Sequence, residues 1–245
     1  MGNATKSLRF EDASVTRAPM NDISPKIPFD IVAFDLDGTL LDTHRDLGAA
    51  VNHALQLGGF AAVPVALVES LIGGGAKIML QRAIDDQGGL PDVEFRPLYK
   101  ALLAYYSENN AIHTRPYPGA EDALDQLAAR DIRLAVVTNK FESFAATILT
   151  RLGLTDRFVT IIGGDTMGKG RAKPQPDPIF EAINRCGGGR CAFIGDSTYD
   201  MAAARAANVP VIAAAYGYCD KPPHELGADA VIAGFDELIP ALARI

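Results

Sequence analysis

Tryptophan is absent from the 245 residues, and aromatic side chains of all kinds make up only 7%. The core therefore has to be built mainly from aliphatic side chains. Cysteine is scarce as well: Cys186, Cys191 and Cys219 are odd in number and form no CxxC pair. That excludes a disulfide framework, argues against a zinc site made of cysteines alone, and suits a reducing compartment, the cytoplasm. No apolar run approaches the roughly 18 residues that span a bilayer, and no apolar signal-peptide core is present. Positive charge is in deficit, with 23 Lys and Arg against 30 Asp and Glu for a net charge of −7. Nucleic acids and anionic membranes, whose phosphates call for a basic surface, are not expected partners.

What is present is aliphatic: hydrophobic residues reach 48%, enough to bury a sizeable core. Residues 1–28 interleave polar side chains with Pro19, Pro25 and Pro28 and hold no period, which predicts a disordered extension. From Phe29 the pattern changes to short apolar runs separated by helical periods. The runs Ile31–Phe34, Ile132–Val137, Phe158–Ile162, Cys191–Ile194, Val209–Ala213 and Ala230–Ile232 read as strands covered on both faces. Ala120–Ala129, Phe144–Leu152 and Tyr199–Ala207 read as helices between them. The alternation predicts an α/β fold, an open parallel Rossmann-like sheet. One interval breaks the rhythm with helical patterns near 43–57, 64–71, 76–87 and 94–109, and no convincing strand. The division predicted is a core of residues 29–44 and 116–245 with an all-helical insert, 45–115.

Ligands of such sheets bind beyond the carboxyl ends of the strands. The first strand runs into Asp35-Leu36-Asp37-Gly38-Thr39. Two carboxylates at i and i+2 project to one side of an extended chain, and Gly38 permits a sharp turn whose amides can face an anion. The second strand ends in Thr138-Asn139-Lys140, a hydroxyl and amides suited to a phosphate oxygen, though Thr and Asn also cap helices. Lys173 follows the third strand, set among prolines. The fourth ends in Asp196-Ser197-Thr198-Tyr199-Asp200, and an acid there opposite Asp35 makes an oxygen-rich site for Mg²⁺.

In this order the four segments resemble the four motifs of the haloacid dehalogenase-like (HAD) phosphatases, and the insert resembles their helical cap. The resemblance implies that Asp35 is the nucleophile that forms an aspartyl-phosphate and Asp37 the general acid, then base. It implies phosphate contacts from Gly38, Thr138, Asn139 and Lys173, and Mg²⁺ held by Asp35, Asp196 and the backbone carbonyl of Asp37. Thr39, Ser197 and Asp200 support them, Asp200 by orienting Lys173 or the water shell of the metal. An acid at position 37 favours phosphate esters, because the dehalogenases lack one there.

The cap segment Gly73–Ala83, together with Arg115–Gly119, Thr138-Asn139-Lys140 and Tyr216-Gly217-Tyr218, is similar to phosphoglycolate phosphatases. That implies a small phosphorylated metabolite, 2-phosphoglycolate first, with Gly74, Gly75, Lys77 and Arg82 as candidate specificity residues. Lys77 departs from the acidic residue usual there. The alternatives are a phosphosugar mutase, a pyrophosphate- or nucleotide-directed phosphatase, and, from another class, a non-enzymatic phospho-acceptor. A monomer or homodimer is expected. Gly163–Gly170 comes close to a nucleotide P-loop, but Gly170 replaces the required Ser or Thr and prolines follow. His44, His53, His113 and His224 are scattered and read as surface or cap residues, and the cysteines as core fillers.

Overall fold

The structure is a computed structural model that describes residues 1–2 and 26–245. The expected N-terminal extension therefore lies almost wholly outside the described residues.

The chain enters the sheet at β1 (Ile31–Phe34), passes a short β2 (Leu41–Asp42), and then forms α1 (His44–Leu57), α2 (Val65–Val68), α3 (Ala76–Asp85) and α4 (Asp92–Asn109). It returns through β3 (Arg115–Pro116) to α5 (Ala120–Ala128), β4 (Arg133–Val137), α6 (Glu142–Arg151) and β5 (Thr160–Ile162). The remainder is α7 (Asp177–Arg185), β6 (Cys191–Gly195), α8 (Thr198–Ala206), β7 (Val211–Ala214), β8 (Ala230–Ile232) and α9 (Leu238–Leu242).

Six strands pair in parallel in the order β5-β4-β1-β6-β7-β8. Period-2 sidedness fixes the two faces. Val32 and Phe34 of β1 join one apolar cluster, which continues into the helical insert, while Ile31 and Ala33 join the other, against α7 and α8. The predicted α/β sheet with a helical insert is what forms. The insert leaves and returns through one antiparallel pair, with Leu41 opposite Pro116 and Asp42 opposite Arg115.

The boundaries move for local reasons. β7 starts at Val211 rather than Val209, because the Val209 amide still donates to the Ala204 carbonyl at the end of α8, after Asn208 at φ 55°. β5 loses Phe158, whose amide closes the turn at Thr155. α4 starts at Asp92, where Asp92 and Glu94 complement the positive end of the helix dipole. Among the described residues no helix is long and apolar enough to cross a membrane.

Chain order reverses direction beside β1, whose neighbours are β4 and β6. Register puts Phe34 level with Val136 and Ile194, so the segments leaving all three strands emerge together. That is the topological switch point where a crevice opens in such sheets.

Candidate active site

Past Phe34 the chain does not stay extended, contrary to expectation. The Leu36 carbonyl accepts from the amides of Leu40 (3.1 Å) and Leu41 (2.9 Å), and Gly38 turns at φ 82°. Asp35 and Asp37 consequently meet different cations while lining the same cavity of about 270 Å³.

Asp35 Oδ1 lies 2.9 Å from the Lys173 ammonium, which also donates to Asp200 Oδ1 at 2.6 Å. The other Asp200 oxygen accepts from Ser197 Oγ (2.6 Å), the Ser197 amide (3.0 Å) and the Asp196 amide (3.2 Å). This is a capping box at the start of α8, and it holds Asp200 in the orientation that meets Lys173. Asp196 accepts from Thr39 Oγ1 at Oδ1 and from the Tyr218 amide at Oδ2, each at 2.8 Å. Glycines make room for it. A Cβ on Gly38 would sit 2.3 Å from Asp196 Oδ2, and one on Gly217 would sit 2.3 Å from the Gly38 carbonyl and 2.5 Å from Asp196 Cβ.

Asp37 faces elsewhere. Its Oδ1 accepts from Thr43 Oγ1 at 2.7 Å, and its Oδ2 lies 3.1 Å from the Lys140 ammonium. Lys140 in turn donates to Tyr106 Oη on α4 at 2.8 Å. Thr138 and Asn139 line the cavity, although Asn139 Nδ2 is turned to the Lys173 carbonyl at 3.0 Å. From the insert, Gly73, Gly74, Gly75 and Lys77 reach the cavity, whereas Arg82 does not line it and points to the Leu71 carbonyl at 3.4 Å.

The P-loop look-alike is a packing device. Cβ atoms on Gly163 and Gly164 would collide with the backbones of Glu142 and Asn139, and Asp165 Oδ1 accepts from the first amide of α6 at 2.8 Å. No helix follows until Asp177. The cysteines pack as expected, and burial pushes the Cys191 thiol up to about 12 and Cys219 up to about 11, so neither is an activated thiolate.

Charge is the distinguishing property of the site. Carboxylate oxygens of Asp35, Asp196 and Asp200 lie within 4.8 Å of one another. Burial, partly offset by Lys173 and reinforced by Asp200, pushes Asp35 up to about 6. Burial and then the charges of Asp200 and Asp35 raise Asp196 well above the usual carboxylate range. Among the described residues Asp35 Oδ1 is buried with no aligned hydrogen bond, its contact with Lys173 being close but off-axis. Of these three carboxylates Lys173 meets two, Asp35 and Asp200, while Asp196 is held by Thr39 and the Tyr218 amide. Asp200 is already committed to Lys173 and α8, which leaves Asp35 and Asp196 as hard oxygen donors fit for a divalent cation.

Sequence reasoning missed Tyr106, Thr43 and the part played by Lys140. Tyr218 was quoted only within a similar segment, yet its hydroxyl accepts from the amides of Thr43 (2.7 Å) and His44 (3.0 Å) and donates to Asp42 at 2.9 Å. Tyr218 thereby connects the connection into α1 with Asp196. The Tyr216-Gly217-Tyr218 run was the available signal. For Tyr106 there was none, since one of three tyrosines in an amphipathic helix, beside Tyr99 and Tyr105, reads as core.

Comparison with known proteins places these observations. A family model described as haloacid dehalogenase-like hydrolase matches residues 32–214. A phosphoglycolate phosphatase of Agrobacterium fabrum is 41% identical over 215 residues, covering 86% of this chain and 91% of the relative. One of Mesorhizobium japonicum is 38% identical over 217 residues, covering 87% and 95%. A crystal structure from Haemophilus somnus 129PT, described as a predicted phosphoglycolate phosphatase, superposes with a TM-score of 0.80 at 32% identity, covering 87% of this chain and 97% of that one.

Gly217→Ala is expected to lower stability by about 1–3 kcal/mol, because the added methyl overpacks backbone rather than a flexible side chain. Chemical denaturation reads the loss, and an unchanged midpoint would contradict the close approach of Gly217 to Gly38 and Asp196.

Proposed function

The chain belongs to the haloacid dehalogenase-like hydrolases and is a phosphatase, and from that membership we propose that it is a Mg²⁺-dependent phosphomonoesterase acting through an aspartyl-phosphate on 2-phosphoglycolate. The observation that carries this reading is the Asp35–Asp196–Asp200 group, with Lys173 held between Asp35 and Asp200, beside a separately held Asp37.

In the first step an Asp35 oxygen attacks phosphorus in line while the bond from phosphorus to the ester oxygen breaks. Asp37 gives its proton to that oxygen, and glycolate leaves as the free alcohol. In the second step water attacks phosphorus, Asp37 takes its proton back, and phosphate departs as the Asp35 carboxylate is restored. Lys173 offsets the repulsion between Asp35 and the phosphoryl oxygens, and Asp200 keeps it aimed. The Thr138 and Asn139 turn supplies donors for the same oxygens. Asp35, Asp196 and the Asp37 carbonyl would hold Mg²⁺, which supplies electrostatic stabilisation of the phosphoryl group.

Residues 45–115 act as a cap over a core of 29–44 and 116–245. Two contacts support this. A Cβ on Gly74 would lie 3.0 Å from the Tyr199 hydroxyl and one on Gly75 3.3 Å from the Asn139 carbonyl, so the cap loop sits directly on the strand ends. The cavity is small, and much of its cap side is apolar, which suits a metabolite of few atoms and exclusion of water. Three unpaired cysteines support a cytoplasmic setting.

Two outcomes are expected. Across a panel of phosphomonoesters, phosphate release is fastest from 2-phosphoglycolate and falls by at least about a thousandfold in Asp35→Asn, the nucleophile being lost. Strong turnover of another ester with none of 2-phosphoglycolate would refute the substrate.

The second concerns pH. Asp35 and Asp196 have folded-state pKa values above their unfolded ones, so their protonated forms add stability at low pH that is lost as pH rises, through about 6 for Asp35. A dication compensates only once the carboxylates are ionised. With Mg²⁺ about a hundredfold above its dissociation constant, Tm should rise roughly 5–10 °C over the chelated protein near neutral pH. The gain should shrink towards nothing near pH 4.5, roughly the unperturbed carboxylate range. An increment equal at both pH values would count against Asp35 and Asp196 as the ligands.

A further inference from the structure

Lys140 has no task in that reaction, yet it is a buried ammonium on the wall of the reacting cavity. Its backbone amide donates to Thr138 Oγ1 at 3.2 Å, which ties it to the turn after β4. Its Nζ donates to Tyr106 Oη at 2.8 Å, lies 3.1 Å from Asp37 Oδ2 and stands 4.6 Å from the centre of the Tyr106 ring. Burial works against its charge, but Asp37 and Tyr106 outweigh it and hold its pKa above the ordinary lysine value. An ammonium has three donors, and these contacts use two. Buried ion pairs are on average no more stabilising than apolar replacements, so the fold alone does not account for this one.

We propose that Lys140 is the specificity-determining residue that receives the carboxylate of the leaving group, while Lys173 serves the phosphoryl end. The proposal rests on the reading of Asp37 as the acid and of the substrate as a short phosphorylated carboxylate. To protonate the ester oxygen, Asp37 must touch it. In 2-phosphoglycolate a single methylene separates that oxygen from the carboxylate, so the carboxylate arrives beside Asp37, on the side where Lys140 is held. The neighbouring wall of Leu47, Ile72, Met79, Leu103, Phe141 and Phe144 offers an anion nothing.

The remaining cation on the lining among the described residues is Lys77, in the first turn of α3, and it is exposed. An exposed ammonium is screened by water and mobile. Lys140 is already desolvated and fixed by Tyr106, so it meets an anion at little further cost. It also discriminates, because a neutral leaving group gains nothing from it.

The test compares kcat/KM for 2-phosphoglycolate with that for ethyl phosphate, the same chain without the carboxylate, in the Mg²⁺-loaded protein. Lys140→Met should lower the ratio of the two by at least about 30-fold, whatever loss both esters share through Asp37. Tyr106→Phe keeps the ammonium and the ring but removes the anchor, and should lower the same ratio several-fold, which keeps the test open if Lys140→Met fails to fold. Lys77→Met should lower it less than Lys140→Met. As a readout independent of turnover, adding Lys140→Met to Asp35→Asn should weaken binding of 2-phosphoglycolate more than that of inorganic phosphate, by calorimetry. Equal losses on both esters in an enzyme that prefers 2-phosphoglycolate would overturn this proposal alone, as would a larger fall in Lys77→Met. A wild-type enzyme that hydrolyses ethyl phosphate but not 2-phosphoglycolate would overturn the substrate reading and this proposal with it.

Discussion

Three buried carboxylates crowd together beside one buried ammonium that meets only two of them, and the rest of the site depends on how the fold enforces that arrangement. Left free, Asp35, Asp196 and Asp200 would move apart or take up protons. The parallel register of β1 and β6 brings Asp35 and Asp196 out side by side, and the cap of α8 aims Asp200 at Lys173. Thr39 and the Tyr218 amide each donate to one oxygen of Asp196. The repulsion that remains is the site's chemical asset. It makes the group receptive to a dication, and it leaves Asp35 poorly satisfied and directed into the cavity.

The second pair, Asp37 with Lys140, is built on separate supports and so is free to do different work. Thr43 stands on the core just before the helical insert and Tyr106 near the insert's end, so this half of the site is completed only when insert and core are packed together. Tyr218 extends the dependence, since one residue bonds Asp196 through its backbone and the connection into α1 through its hydroxyl. The carboxylate group around Asp35 and the Asp37–Lys140 pair are thereby tied to one packing of insert against core.

The sheet was legible in the sequence because each strand is a short continuous apolar run, and the insert because helical periods interrupt the alternation. The acids and Lys173 were legible because polar residues at the ends of such runs have no structural reason to be there in that order. Three things were not. The turn at Leu36 separates Asp35 from Asp37, and the two-residue spacing alone cannot reveal a bend set by hydrogen bonds to Leu40 and Leu41. Tyr106 looks like any buried aromatic until α4 is folded against β4. Lys140 sits two residues past Thr138, where an extended chain would leave it in solvent. The Asp37 and Tyr106 partners that draw it inward are 103 and 34 positions away.

Chemical trapping tests the central claim most directly. Enzyme mixed with substrate and Mg²⁺, quenched within the first turnover and reduced with borohydride, should carry homoserine at position 35, the product of reducing an aspartyl-phosphate. Phosphate released while position 35 stays unmodified at every quench time, or the modification found at another carboxylate, would contradict it.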